Sequence, residues 1–285
     1  GLKPYITYYK QTIDEDNNLL DRWYRRERQS GFSKQVAENI YVTDKYEKKI
    51  MLKAIKKSPV GEKKYKYSGL SFMLYPHMIE KWTGQGYVDY LETEFYSKLG
   101  AETLTFHPLK KFPKDRIVPT EYDSVFRKQH LQGFVHDEGA ALLGGESSNA
   151  GLFGSADDLA KLFQMYLNGG EYGGVRYIKK EVLDEFTKAQ YPENDNRRGI
   201  GFDKPLLDNP SQDFDNAYPT PEVSLESYGH SGFTGTFFWI DPKNQLIYIF
   251  LSNRVNPTRD NSLIYKLNVR PSIHRAMYRS IIGTQ

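Results

Sequence analysis

The sequence predicts an α+β fold: a mainly helical stretch, then an antiparallel sheet edge, then a covering helix. Three observations predict it. Apolar residues recur at helical spacing in several segments before residue 190. Aromatic and β-branched residues then concentrate at 235–240 and 245–252, on either side of Asp241-Pro242-Lys243-Asn244. That is the pattern of a β-hairpin with proline at the second turn position. Finally, residues 271–282 place Ile273, Met277 and Ile281 on one face of a terminal amphipathic helix. Strands do not alternate with helices along the chain, so a parallel βαβ sheet is not indicated.

Residues 1–40 are rich in Tyr and Arg with weak periodicity and are expected to be irregular, with short helices. A helix is expected over 44–57, with Tyr46, Ile50 and Ala54 as its buried stripe. It stops before Ser58-Pro59, because proline disfavours helix in the residue before it. A second helix runs from near Ser68 towards Trp82 and ends at Gly84, with a kink or break at Pro76. A third covers 87–99, with Tyr87, Tyr90, Leu91, Phe95 and Leu99 on one face and Gly100 as the stop. Residues 101–148 read as a long irregular stretch. The best helix start follows it: Ser155 is the N-cap, and Asp157 and Asp158 favour the positive end of the dipole. Leu159, Leu162, Phe163 and Tyr166 form the stripe there, and Gly169-Gly170 closes the helix. A helix over 179–189 comes next. Residues 191–226, with prolines at 192, 205, 210, 219 and 221, are expected to make a polar surface excursion. The 285 residues thus read as one domain, with helix and loop over 1–226 and strands plus a terminal helix over 227–285.

Composition narrows the function classes. Hydrophobic residues at 39% and charged residues at 26% sustain a core. The chain has no cysteine, which excludes disulfides, thiolate nucleophiles and cysteine-ligated metals. Its longest clean apolar run, 246–251, falls far short of the roughly 20 residues that a membrane-spanning helix needs. The net charge of +3 hides a local excess at Lys45, Lys48, Lys49, Lys53, Lys56, Lys57, Lys63, Lys64 and Lys66. That stretch reads either as a patch for an anionic polymer or as the solvated face of a helix. No aromatic platform accompanies it, so nucleic acid is not expected as a partner. His136-Asp137-Glu138 suggests acid–base or metal chemistry, but no second histidine stands at ligand spacing. No cofactor and no metal is called for. His107 and His130 read as surface or loop residues, and Gly144-Gly145 and Gly169-Gly170 as turns.

Three motifs remain. Tyr67-Ser68-Gly69 follows the lysine-rich stretch, and Gly229-His230-Ser231-Gly232-Phe233-Thr234-Gly235-Thr236 opens the hairpin. Between them lies Asn149-Ala150-Gly151-Leu152-Phe153-Gly154-Ser155-Ala156-Asp157-Asp158-Leu159-Ala160. Together and in this order they resemble the class C β-lactamase-like and penicillin-binding-protein serine hydrolases, which include β-lactamases, D-alanyl-D-alanine carboxypeptidases and esterases. The resemblance implies a β-lactamase/transpeptidase-like fold, an antiparallel sheet flanked by helices plus a helical subdomain. It also implies a site in which the serine of an S-x-x-K motif attacks a carbonyl and a Tyr-x-Asn tyrosine moves the proton. Carried onto this sequence, Tyr67 is the candidate base, although as one of 22 tyrosines it could equally be a packing residue. His230 is a site residue, Ser231 and Gly232 line the substrate, and the Phe233 N–H is half of an oxyanion hole.

Two departures from the pattern matter. No serine in the chain has lysine at the fourth position, and Gly69 stands where relatives carry Asn or Asp. The expectation is therefore the latter part of such a domain, with the first strands and the serine-bearing helix missing. The intact parent would cleave an ester or amide of a small acyl or peptide substrate, and this piece alone would be inactive. The alternative is a non-catalytic penicillin-binding-like module attached to another enzyme, such as an amino-sugar glycoside hydrolase in an upstream fused domain. An exposed sheet edge would favour a homodimer. The resemblance implies a bacterial, extracytoplasmic setting.

Overall fold

The computed structural model of the protein describes residues 1–62 and 64–282. Its chain divides into two compact units. The first comprises Gly1–Glu94, Thr103–Gly154 and Val255–Thr258; the second comprises Phe95–Glu102, Ser155–Arg254 and the chain from Arg259 onward.

The first unit opens differently from expectation. Strands β1 (Tyr24–Arg25), β2 (Lys34–Ala37) and β3 (Ile40–Val42) form an antiparallel sheet in the order β1-β3-β2. Segments this short cannot display a period of two, which is why the sequence reads as irregular there. Val36, Ala37, Ile40 and Val42 enter the core, where Tyr46, Ile50 and Met51 meet them from the next segment. That segment makes a wide turn over Glu47–Met51 and continues as α1 (Leu52–Lys57), ending at Ser58, which is extended before Pro59. Lys45, Lys48, Lys49, Lys53, Lys56 and Lys57 are exposed, a solvated face, and Lys63 lies outside the described residues. At Pro76 the expected helix is broken and not kinked: a single 3-10 turn over Phe72–Leu74 precedes a new helix that the proline starts. Pro76 sits in the first turn of α2 (Tyr75–Thr83), where its missing N–H removes no intrahelical bond, and Gly84 ends the helix with φ 73°. After α3 (Tyr87–Leu91) a wide turn over Glu92–Tyr96 shifts the helical phase, so Tyr96 is buried in place of the expected Phe95.

Residues 101–148 are also more ordered than expected. They hold α4 (Pro108–Lys111), the hairpin of β4 (Pro119–Asp123) and β5 (Gln129–Gln132), and α5 (Glu138–Ala141). Buried Arg127 locks the hairpin: Nε donates to Asp123 at 2.7 Å, and the two Nη atoms donate to the carbonyls of Val135 and His136, each at 2.7 Å.

The second unit carries α6 (Ala156–Leu167), the pair β6 (Glu171–Tyr172) and β7 (Val175–Arg176), and α7 (Lys180–Thr187). Ser155 accepts from the Asp158 N–H at 3.3 Å, the predicted N-cap. Residues 191–226 are not wholly superficial. Asp203, Lys204, Asn209, Thr220, Val223 and Ser224 are buried, and Asn209 ties the loop by donating to Thr220 O at 2.9 Å and accepting from Tyr218 N at 2.8 Å.

Strands β8 (Tyr228–Ser231), β9 (Phe237–Asp241) and β10 (Leu246–Phe250) then form an antiparallel sheet in the order β10-β9-β8. Alternation along β9 sends its two faces to different helices. Phe238 and Ile240 meet α6, with Phe163 stacked on Phe238 at 4.2 Å. Phe237 and Trp239 meet α9 (Val269–Ile282), which follows the short α8 (Leu263–Lys266). The buried face of α9 is His274, Met277 and Tyr278, whereas Ile273 and Ile281 are 45% and 60% exposed. Of the expected stripe only Met277 faces inward; Ile273 and Ile281 do not, because the rest of the inward face is built from the rings of His274 and Tyr278.

Buried Asp241 closes the sandwich. It accepts from Ser224 N at 2.9 Å, Ser224 Oγ at 2.6 Å, Asn244 Nδ2 at 2.8 Å and Tyr278 OH at 2.6 Å. These bonds outweigh burial and hold its carboxyl below the usual range. Beside it His274 stacks on Tyr248 at 4.4 Å, and among the described residues neither ring nitrogen has a hydrogen-bond partner. Burial lowers the His274 pKa to about 3, against an opposing pull from Asp241 and Glu222. A depressed histidine favours folding fully above its unfolded pKa and loses that contribution as the pH falls towards the folded value. Stability should therefore fall by about 1.4 kcal/mol per pH unit below pH ~6.5 from this group. Urea unfolding of the protein and of His274→Phe tests this. The gap between them should move by about 3 kcal/mol in the variant's favour from pH 7 to pH 4, and parallel curves would refute the assignment.

Candidate active site

Strand β8 is held on both sides. One edge pairs with β9, Gly229 opposite Trp239 and His230 opposite Phe238. On the other edge, Asp203 N donates to Gly229 O at 2.7 Å and Gly229 N donates to Asp203 O at 3.0 Å. A Cβ at Gly229 would collide with the Phe238 carbonyl and the Trp239 ring, so only glycine fits. The same Asp203 organises charge around the next residue. Its carboxylate takes Arg197 Nη1 at 2.5 Å and Arg198 Nη2 at 2.9 Å. Arg197 also lies over the Tyr218 ring at 4.8 Å, and Lys204 turns to the carbonyls of Glu226 and Ser227, at 3.2 and 3.1 Å.

His230 completes this network. Its Nδ1 is 2.8 Å from Ser231 O, and a carbonyl can only accept, so Nδ1 carries the proton. Its Nε2 is 3.4 Å from Arg198 Nη1, which can only donate, so Nε2 is the acceptor. These two contacts favour the neutral imidazole with its proton on Nδ1. Burial holds its pKa below the ordinary range, Arg198 adds to this, and the bond to Ser231 opposes it.

Beyond β8 the chain turns tightly: Gly232 N donates to Thr236 O at 2.8 Å and Gly235 N to Gly232 O at 3.0 Å. Ser231 and Gly232 are half-buried, and Phe233 projects outward, 58% exposed. Arg254 fixes Phe233, with Nε donating to its carbonyl at 2.8 Å and the guanidinium 4.5 Å from the ring centroid. Gly232 is close against the Thr236 hydroxyl.

Tyr67 belongs to the first unit and is 52% exposed. Next to it, Ser68 Oγ donates to Lys3 O at 2.7 Å and accepts from Leu70 N at 3.2 Å. Gly69 does not adopt a left-handed backbone. A Cβ there would make ordinary contact with the Asn149 side chain, 3.6 Å from its Cβ and 3.8 Å from its Nδ2. Asn149 is held by Ser147 Oγ, which donates to its Oδ1 at 2.6 Å.

The other singled-out histidines have structural partners. His136 Nε2 is 3.1 Å from Glu121, and Asp137 caps α5 by accepting from Ala140 N at 2.7 Å. Among the described residues no group of three or more His, Asp or Glu side chains is placed to hold a metal. His107 is not a bare surface residue: its Nε2 is 2.5 Å from Glu146. Arg197, Arg198 and Asp203 escaped the sequence reading, since they sit in a polar, proline-rich stretch with no periodicity. Adjacent arginines before Gly199-Ile200-Gly201 were the available signal.

The Beta-lactamase family profile matches residues 27–268. The chain belongs to the Beta-lactamase family. This is a serine hydrolase family of the β-lactamase and D-alanyl-D-alanine carboxypeptidase type. An Escherichia coli K12 protein named for D-alanyl-D-alanine carboxypeptidase is 35% identical over 241 residues, 78% of this chain and 52% of that protein. A Salmonella typhi protein of the same name is 36% identical over 226 residues, 73% of this chain and 50% of that protein. The Beta-lactamase family chain thus spans about half the length of the curated relatives it matches. Among solved structures, simvastatin synthase from Aspergillus terreus superposes with TM-score 0.57 at 15% identity, covering 82% of this chain and 62% of that one. An octameric penicillin-binding protein homologue from Pyrococcus abyssi gives TM-score 0.51 at 18% identity, covering 78% and 48%. These two likenesses establish the β-lactamase/transpeptidase-like fold. Among the described residues no helix is long and apolar enough to cross a membrane.

The two glycines beside the motifs should respond oppositely to substitution. Gly229→Ala must displace backbone and an indole ring and should cost about 3 kcal/mol. Gly69→Asn meets only ordinary contact and should stay within about 1 kcal/mol of the parent. Thermal melts of both variants test this, and equal losses would show that the packing around them is misread.

Proposed function

We propose that this chain contributes the substrate strand and the proton-transfer tyrosine of an acyl-serine hydrolase. The observation that carries the reading is the end of β8, where His230-Ser231-Gly232 leads into the outward-facing Phe233. Ser231 Oγ would hydrogen-bond a polar group of the substrate, and Gly232 would let it approach the strand. The Phe233 N–H would be one donor to the oxyanion, a type of contact worth about 3–4 kcal/mol in the transition state. Tyr67 would take the proton from the attacking serine and return it to the leaving group. The candidate substrates are penicillins, peptidoglycan stem peptides and simple acyl esters.

No S-x-x-K motif occurs in the 285 residues. The nucleophile is therefore assigned to sequence outside them, and the chain alone is expected to form no acyl adduct. Intact-mass spectrometry after incubation with a penicillin and with an activated ester tests this, on this chain beside the chain extended through its natural upstream reading frame. An adduct on the longer protein alone supports the reading, and Tyr67→Phe should then abolish it. Gly69 favours a second reading, a non-catalytic penicillin-binding-like module, which predicts an adduct on neither protein. An adduct on this chain would show that the nucleophile is misassigned.

Self-association belongs to the same reading. Among the described residues β10 pairs with β9 on one edge and with no strand on the other. Sedimentation should show a dimer, and a monomer at high concentration would remove that proposal.

A further inference from the structure

We propose that Arg254 is a positioning residue for the oxyanion donor: it holds the central peptide of the turn after β8 and so fixes the direction in which Phe233 offers its N–H. This role rests on the reading of the Phe233 N–H as an oxyanion donor, and it names the group that aims it. Gly232 O accepts from Gly235 N at 3.0 Å, which makes residues 232–235 a β-turn with Phe233 and Thr234 at its centre. Types I and II of such a turn differ by a flip of the central peptide, here the one between Phe233 and Thr234. Thr234 does not have the positive φ that the flipped form demands, and the carbonyl of the central peptide is taken by Arg254 Nε at 2.8 Å. The next carbonyl, that of Thr234, accepts from the Arg254 backbone N–H at 3.0 Å. The peptide before Phe233 is set as well. Gly232 O turns across to Gly235, and in a trans peptide the Phe233 N–H then points the opposite way. With the peptides on both sides held, φ and ψ of Phe233 are defined.

Strand register brings Arg254 to this place. Phe237 opens β9 opposite Phe250 at the end of β10, so the residues after β10 run beside the turn before β9. The packing is direct, for a Cβ at Gly235 would meet Ser252 Oγ and the Arg254 side chain. The guanidinium is itself immobilised. Its Nη1 donates to Arg259 O at 3.0 Å and to Asn261 O at 2.7 Å, and its Nε is also 3.1 Å from Tyr265 OH. It lies over two rings, 4.5 Å from the Phe233 centroid and 4.9 Å from that of Tyr265. Phe233 is exposed, so water could satisfy its carbonyl at little cost. A planar fork, ordered at the expense of its rotamers, supplies direction as well. Arg270 provides the contrast. It lies 5.1 Å from the same Tyr265 ring and donates to Thr236 O at 3.1 Å, but it does not hold the central peptide.

The test has two arms. In amide spectra of this chain, 15N-labelled, Arg254→Met should split or broaden the signals of Phe233 and Thr234, and Arg270→Met should leave them single and sharp. In the chain extended through its natural upstream reading frame, the adduct mass is followed over time with an activated ester. Arg254→Met should lower the limiting acylation rate about tenfold, a part of what loss of an oxyanion donor costs, and leave the half-saturating ester concentration within about twofold. The final adduct yield should stay complete, as it would not for a misfolded protein. Arg254→Lys keeps the charge without the fixed fork and should recover part of the rate, and Arg270→Met should keep nearly all of it. If Arg254→Met loses its amide dispersion, Arg254→Lys gives both readouts, smaller and in the same direction. Unchanged Phe233 and Thr234 amides, an unchanged limiting rate, a shift in half-saturation alone, or an equal loss in Arg270→Met overturns the proposal. An extended parent that forms no adduct would instead remove the acyl-serine reading, and this role with it, so the two failures are told apart.

Discussion

The backbone pairing of Asp203 with Gly229 is the constraint on which the candidate site in the second unit depends. Two hydrogen bonds, at 2.7 and 3.0 Å, carry a loop residue to the edge of β8 and fix it there. Everything charged around His230 follows from that placement. The Asp203 carboxylate can gather Arg197 and Arg198 only because its backbone is anchored, and Arg198 can face His230 only because it is gathered. The pairing in turn requires Gly229, since any side chain there would push into the carbonyl and the ring on β9. A single backbone position thus links strand register, electrostatics and imidazole tautomer.

The strand is held in place from farther away as well. β8 pairs with β9, and β9 is held between two helices by the alternation of its rings, Phe238 towards α6 and Phe237 and Trp239 towards α9. Asp241 at the end of β9 ties the Ser224 loop, the hairpin turn and Tyr278 of α9 to one carboxylate. Trp239 Nε1 donates to Ser227 Oγ at 2.8 Å, which joins this network to the residues that lead directly into β8. Buried polar groups here are satisfied in a chain, the condition under which they specify one arrangement.

Much of this was legible in the sequence where a signal is local. The Ser155 cap, the Gly84 and Gly100 stops and the Asp241-Pro242-Lys243-Asn244 turn each express their physics within a few residues. What was not legible depends on partners distant along the chain. β1, β2 and β3 are too short to show a period and exist because they bury Val36, Ile40 and Val42 against Tyr46 and Met51. Of the inward face of α9 only Met277 could be read from the apolar stripe, because His274 and Tyr278 complete an aromatic cluster contributed by two strands. Asp203 and Arg198 lie 27 and 32 residues before His230, and nothing in their own neighbourhood announces the strand they serve.

Gly69 and Gly229 show why a glycine in a motif needs a structure before it is interpreted. Gly229 answers to packing: the space its side chain would fill is occupied by backbone and an indole ring. Gly69 answers to no such demand. Its backbone is not left-handed, and the volume beside it is bounded at ordinary contact distance by the Asn149 side chain. The fold would accept a larger residue at 69, so the departure from the Tyr-x-Asn pattern is a difference in the polar groups presented beside Tyr67 and not a consequence of steric necessity. The Asn149 side chain that bounds this space is itself held by Ser147 Oγ, which donates to its Oδ1.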